Sequence, residues 1–342
     1  MLERALLMHH PLLHLHDPLL VSESLSAGTL PERPRLHPWC RLVRDRGRYL
    51  LEHGGTVVTL EGRAVEQLLP KLLPLLDGTR TVDELTDALG PRVAPAVEHA
   101  LTLLESNRLL VAGADGDEAS VEATAAAAFA AAVTRRTTES AAATKLTDAS
   151  VAVLGSGGAA IEVGRQLTQL GIGRVTALPL DSSPDDPSLI VAAPSAAEVP
   201  HLEGLNERAL HRRSPWLQLL PFDGRLVVAG PLFVPDSSAC RACFVLRRGA
   251  CSGYEEDFDL IERAQLQAAA PSALTSIGAG LAALISLRWI ATADPTLPGH
   301  LYALEAGPIV RLSHQRLLRV PRCRVCGPPE RAVASPWFEA AT

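Results

Sequence analysis

Residues 151–181, VAVLGSGGAAIEVGRQLTQLGIGRVTALPLD, decide the fold. The run Val151–Leu154 is short and apolar, as a strand buried on both faces would be. Gly155, Gly157 and Gly158 then make a tight turn, and a helical pattern follows to a second glycine turn at Gly171 and Gly173. A second apolar strand closes the unit. Strand, glycine turn, helix, turn and strand form one βαβ unit of a doubly wound sheet. Further strands are expected at 188–193, 216–220, 225–230 and 301–305, with helices near 196–210, 256–268 and 270–291. The unit covers residues 149–342.

Working back along the chain, residues 113–148 are rich in alanine, threonine and acidic residues and read as a helical linker. Before them, 37–112 form a separate pattern. Three short strands at 39–44, 48–53 and 56–60 are divided by Asp45-Arg46-Gly47 and by Gly54-Gly55. A helix with a proline-disturbed end follows, and a second begins at Thr81, with Glu84 placed for a capping box. A third runs from Pro91 to Asn107, with Val93, Val97, Leu101 and Leu104 on one face as its core side. Three strands and three helices describe a winged-helix-like domain. Residues 1–36 read as an N-terminal arm whose His9, His10, His14 and His16 match no metal-ligand spacing.

Composition narrows the function. Hydrophobic residues make up 47% of the chain, charged residues 20%, and the net charge is −6. That balance suits a globular protein and offers no basic footprint for nucleic acid. The leucine-rich start is broken by histidines and prolines, and the apolar stretch 270–290 carries serines, glycines and Arg288, so neither a signal peptide nor a membrane span is expected. A cytoplasmic location follows.

The strongest chemical signal is a pair of C-x2-C motifs, Cys240/Cys243 and Cys323/Cys326. Zinc favours four tetrahedral thiolates, and four cysteines fill its coordination sphere, so the site is expected to be closed and structural. A redox reading is weaker, since neither pair is expected to open a helix after a strand. Cys40 and Cys251 are expected to be small, partly buried thiols. The glycine turn could present helix N-terminal amides to a phosphate, but Gly155, Gly157 and Gly158 alone are a weak indication of cofactor binding.

The turn, GIGRV and the two distant C-x2-C pairs together resemble the ThiF-like fold of the ubiquitin-activating, MoeB and ThiF adenylating enzymes. LLPLLDGTRTVDEL (72–85) and VPRCRVCG (320–327) resemble more specifically the ThiF-like leader-peptide-binding proteins of azoline and thiopeptide biosynthesis. In that family the winged-helix unit, related to the PqqD peptide chaperone, holds the leader of a precursor peptide between an edge strand and a helix. The resemblance places contacts on Thr56, Val57, Val58, Thr59 and Leu60 and on Ala96, His99, Ala100 and Leu103. It implies as partners a precursor peptide leader and a separate YcaO-type cyclodehydratase, with a possible homodimer, and it implies structural zinc. The catalytic domain that fused relatives carry after the zinc cysteines is expected on another chain, because only a short tail follows Cys326.

The adenylating pattern is missing at several stations. Pro179 stands where those enzymes carry the ribose-binding Asp of D-x-D. Ala192-Ala193-Pro194-Ser195 stands where a magnesium ligand is expected, and the stretch after Asp181 is too short for the usual Arg and Lys. A scaffold without catalytic residues is the reading preferred. The alternative is an ATP-dependent adenylating enzyme acting on a peptide, and a dinucleotide oxidoreductase using Asp181 is the third.

Overall fold

The computed structural model describes residues 30–327 apart from 55, 108, 114–120, 135, 265–269 and 322. The four arm histidines and the tail after Gly327 lie outside the described residues.

The N-terminal unit begins with β1 (Pro34–Leu36), then β2 (Arg41–Asp45), β3 (Arg48–His53) and β4 (Thr56–Leu60). Strands β2, β3 and β4 form an antiparallel sheet in that order. Leu51 faces Val58 and Tyr49 faces Leu60 across β3 and β4, and this face meets the core. Helix α1 (Arg63–Leu72) contains Pro70 and ends in a 3₁₀ turn. Helix α2 (Val82–Leu89) starts with the expected capping box, Glu84 N donating to Thr81 Oγ1 at 3.2 Å and Thr81 N to Glu84 Oε2 at 2.7 Å. In α3 (Ala94–Ser106), Val97, Leu101 and Leu104 are buried as expected, and Val93 is half-buried against the same core. The helix proper starts three residues later than expected, since Pro91–Val93 form a 3₁₀ turn.

Residues 30–36 are more than an arm. Pro34–Leu36 pairs antiparallel with β5 (Leu110–Ala112). Pro34 opens β1, a position where its missing N–H is tolerated, and the proline-rich composition hides the strand.

The alanine-rich segment is likewise no free spacer. Helices α4 (Val121–Thr134) and α5 (Glu139–Asp148) place Ala126, Ala127, Ala130, Ala142 and Leu146 in the core of the following unit. Their small side chains let the helices lie close to each other and to α10. Arg35 of β1 reaches Glu139 at 2.8 Å, and that carboxylate side chain is 1% exposed, so a buried ion pair joins the two units.

The second unit holds β6 (Ser150–Leu154), α6 (Gly158–Gln169), β7 (Arg174–Leu178), β8 (Leu189–Ala192), α7 (Leu202–Arg212), β9 (Trp216–Leu220), β10 (Leu226–Phe233), α8 (Arg241–Ala250), α9 (Phe258–Arg263), α10 (Ser272–Thr292), β11 (His300–Glu305) and β12 (Arg311–Arg316). Seven strands run in the order β12-β11-β10-β9-β8-β6-β7. The four around β6 are parallel and the far edge is antiparallel. Helices α4, α5, α6 and α10 cover one face, while α7 and α8 cover the other. Helix α10 is long and apolar enough to cross a bilayer, yet Gly278, Ala279, Ala282, Ala283 and Ile285 are buried against the sheet and its neighbours. Two elements escaped the sequence reading. β12 (RLSHQR) is polar and wholly exposed, and α8 lies directly behind the first cysteine.

Candidate functional site

The cysteine pairs meet near the ends of central strands, where Cys240 and Cys326 share a cavity with Trp216 of β9 and Phe233 of β10. Cys240 is the N-cap of α8, which follows β10 through a short loop. The expectation that neither pair opens a helix is therefore overturned; the basic and apolar mix of RACFVLRRGA concealed it. Arg241 turns inward between the cysteines, its amide donating to Asn206 Oδ1 at 3.0 Å, which fixes where α8 begins. The second pair lies in a turn after β12, tied back where Val320 N donates to Cys243 Sγ at 3.3 Å.

The four Sγ atoms lie within 4.8 Å of one another. Cys240 is 3.9 Å from Cys243 and 3.8 Å from Cys323, and Cys243 is 3.6 Å from Cys326. A disulfide would need about 2.05 Å, so these are not disulfides. Four sulfurs at metal–sulfur bonds of about 2.3 Å form a tetrahedron with edges of about 3.8 Å, and three of the edges here are 3.6 to 3.9 Å. Burial pushes the Cys240 thiol up to about 11. At Cys323 burial also opposes ionisation, but the amides of Cys326 and Val325 outweigh it and hold the thiol down to about 7. The cluster could hold a metal ion, and four ligands would leave it no open position. A redox role fits poorly, because the two pairs form one cluster. Cys40 is half-buried as expected; Cys251 is exposed, since it lies past the buried face of α8 as its C-cap.

The glycine turn sits between β6 and α6. Gly155 has φ +131, and a Cβ there would meet Ala193 O at 2.4 Å, so its glycine serves the close approach of the β8 turn. Gly157, at φ +94, and Gly158 would meet nothing within 4 Å, leaving the helix N-terminus open to a polar group. Glu198 approaches at Ser156, the residue before the N-cap Gly157. Its Oε2 accepts from Ser156 N at 3.0 Å and Ser156 Oγ at 2.9 Å, and from Ser195 N at 2.8 Å and Ser195 Oγ at 2.9 Å. Burial raises the Glu198 carboxyl, and the donors of Ser195 and Ser156 more than compensate, so it lies below its ordinary value. Two cavities of about 450 and 920 Å³ lie in this unit, and no residue of the turn lines either. Sequence reasoning missed Glu198, though Ser195-x-x-Glu198 is a capping-box pattern that could have marked it.

The third candidate region is the sheet edge. β4 has no second strand neighbour among the described residues. Along it, Val57 is 54% exposed, Val58 is half-buried, Thr59 is exposed and Leu60 is buried. On α3, Ala96 and His99 are exposed, while Ala100 and Leu103 are half-buried against the same core that Val58 touches. These residues thus flank the buried stripe of α3, as expected.

No family profile and no curated sequence matches the chain. Solved structures do. A heterocyclase in complex with substrate and cofactor is 21% identical, with a TM-score of 0.64 over 86% of this chain. The heterocyclase TruD is 23% identical, with a TM-score of 0.63 over 87%. MccB of E. coli, solved with AMPCPP and MccA, is 14% identical, with a TM-score of 0.59 over 86%. The chain spans 39% and 43% of the two heterocyclases and 99% of MccB. At these identities the likeness establishes a shared fold.

Proposed function

We propose that the chain binds the leader of a ribosomal precursor peptide and presents it to a separate YcaO-type cyclodehydratase for azoline formation, without catalysing a step itself. The observation that carries this reading is the edge of β4. An unpaired strand offers main-chain donors and acceptors to an extended peptide, and neighbouring side chains supply selectivity. Thr56–Leu60 would form the pairing strand, and Ala96, His99, Ala100 and Leu103 the wall beside it. Fold likeness to a heterocyclase solved with its substrate and to MccB solved with MccA supports peptide handling. In this reading residues 37–112 are a winged-helix leader-recognition domain on a ThiF-like α/β unit, and Cys240, Cys243, Cys323 and Cys326 hold a structural zinc. Two copies pairing through the α/β unit belong to the same reading.

The test uses the full chain and a labelled leader peptide. Ala96→Glu with His99→Glu changes exposed positions, so folding should hold while affinity falls about tenfold or more, a loss of about 1.4 kcal/mol. An unchanged affinity puts the leader elsewhere. Proline at Val57 and at Val58 gives a second test. N–H groups of successive residues on an edge strand point to opposite sides, so one proline breaks the sheet and the other removes only an outward donor. The latter variant should fold and bind weakly.

A second reading, ATP-dependent adenylation of a peptide, is favoured by coverage of 99% of MccB. Pyrophosphate exchange with ATP that depends on the cognate peptide would establish it. Pro179 and the turn Ala192–Ser195, with only residues 179–188 between β7 and β8, leave ribose and magnesium without the acidic ligands of that chemistry.

A further inference from the structure

β6 and β8 are parallel neighbours, with Leu154 opposite Ala192. β7 lies on the other flank of β6. The chain therefore reverses its direction of winding between β6 and β8, and open α/β sheets bind ligands in the crevice at such a point. Two turns meet there, the glycine turn after β6 and Pro194-Ser195 after β8.

Glu198 Oε2 fills the meeting place with four donors. Two of them have a local explanation. Ser195 caps the 3₁₀ helix Ala196–His201, and Glu198 closes a capping box with it. The two from Ser156 do not. They come from a loop 42 residues away, and the Ser156 amide belongs to the set that a glycine turn directs at a bound phosphate.

We propose that Glu198 is a built-in substitute for a nucleotide phosphate, holding the anion position of the glycine turn and excluding phosphate-bearing ligands from the crevice. Its carboxylate uses the Ser156 amide and hydroxyl, donors that a phosphoryl oxygen bound at this turn would use. A second anion entering beside it meets a like charge at close range and finds the Ser156 donors taken. The competition is unequal, because Glu198 is tethered and loses little translational freedom in docking, whereas a free anion bears that cost. The glycine turn thus keeps its shape for the fold and gives up its ligand. This deepens the scaffold reading, yet rests only on the crevice and not on where a leader binds.

The experiment titrates inorganic pyrophosphate, at matched ionic strength, into the full-length protein and two variants. Glu198→Ala removes the carboxylate, and Glu198→Gln keeps the size and one acceptor while removing the charge. Wild type should show no saturable binding by calorimetry and no rise in thermal midpoint. Glu198→Ala should bind at least about tenfold more tightly than wild type, and adding Ser156→Ala should weaken that binding. If Glu198→Ala does not fold, Glu198→Gln carries the test, with a smaller gain. Saturable binding by wild type equal to that of the variants overturns the proposal. So does the absence of a gain in whichever of the two folds. Leader affinity, measured on the same samples, should not move; a change there bears on the proposed function and leaves the pyrophosphate result to stand by itself.

Discussion

The cysteine cluster and the glycine turn belong to one α/β unit and stand in opposite relations to a ligand. The cluster gathers four sulfurs within 4.8 Å of one another, three of the pairs at 3.6 to 3.9 Å, and burial pushes the Cys240 thiol up. It is an arrangement that makes sense around a cation. The glycine turn supplies its donors with an acceptor from the chain itself. Its Ser156 donors are satisfied as they stand. Two motifs that sequence reading treats alike, as ligand signals, therefore divide into one whose four sulfurs could hold a metal ion and one whose Ser156 donors already have an acceptor.

The largest effect should separate them. Removing metal with a strong chelator, or making Cys323→Ala, should cost on the order of 10 kcal/mol of folding free energy, since a closed thiolate site carries its metal-binding energy into folding. Thermal denaturation with and without chelator measures it, and metal analysis should find zinc lost with the fold. A metal-free protein with an unchanged midpoint would make the cluster as self-sufficient as the turn.

A smaller effect is expected at the junction of the two units, where a buried charge also has a partner from a distant segment. Arg35→Ala should destabilise by about 2 kcal/mol, less than a fully buried pair would lose, because the Arg35 side chain is 30% exposed. The pH dependence has a definite sign. Burial raises the Glu139 carboxyl, and Arg35 offsets this only in part. The folded state therefore binds a proton that the unfolded chain has released, and stability falls as pH rises from the unfolded carboxylate value through the raised one. Arg35→Ala should steepen that fall and Glu139→Gln should remove it. A Glu139→Gln variant whose pH profile matches wild type would show that the carboxylate is not buried as described.

How much of this could be read beforehand depended on how local each signal was. The βαβ unit was legible because Val151–Leu154, the glycines and the second strand are contiguous. The cysteine site was legible because C-x2-C spacing encodes two ligands in one turn. The helix behind Cys240 was not, because Arg247, Arg248 and Gly249 blur its pattern. β1 was hidden since its partner, β5, lies far along the chain and its own composition is that of a loop. The alanine-rich helices looked like a linker because small side chains give no amphipathic stripe, although their smallness is what lets them pack closely. Glu198 is the sharpest case. Its capping pattern was visible, but its contact with Ser156 exists only once β6 and β8 lie side by side.

The smallest expected effect tests the turn as a charge interaction and completes the comparison with Glu139. Glu198→Gln should cost about 1 kcal/mol at neutral pH, the difference between charge-assisted and neutral hydrogen bonds from the same donors. The sign of its pH dependence is opposite to that of Glu139. The donors of Ser195 and Ser156 hold the folded-state carboxyl of Glu198 below its ordinary value against the opposing effect of burial. Its contribution is therefore present above the unfolded carboxylate value and is lost as pH falls through the depressed one. Denaturation midpoints of wild type and Glu198→Gln should differ near neutrality and converge on the acid side, where both side chains are uncharged. A difference that persists unchanged into acid would mean that shape, not charge, fills the turn, and the phosphate analogy would lose its electrostatic basis.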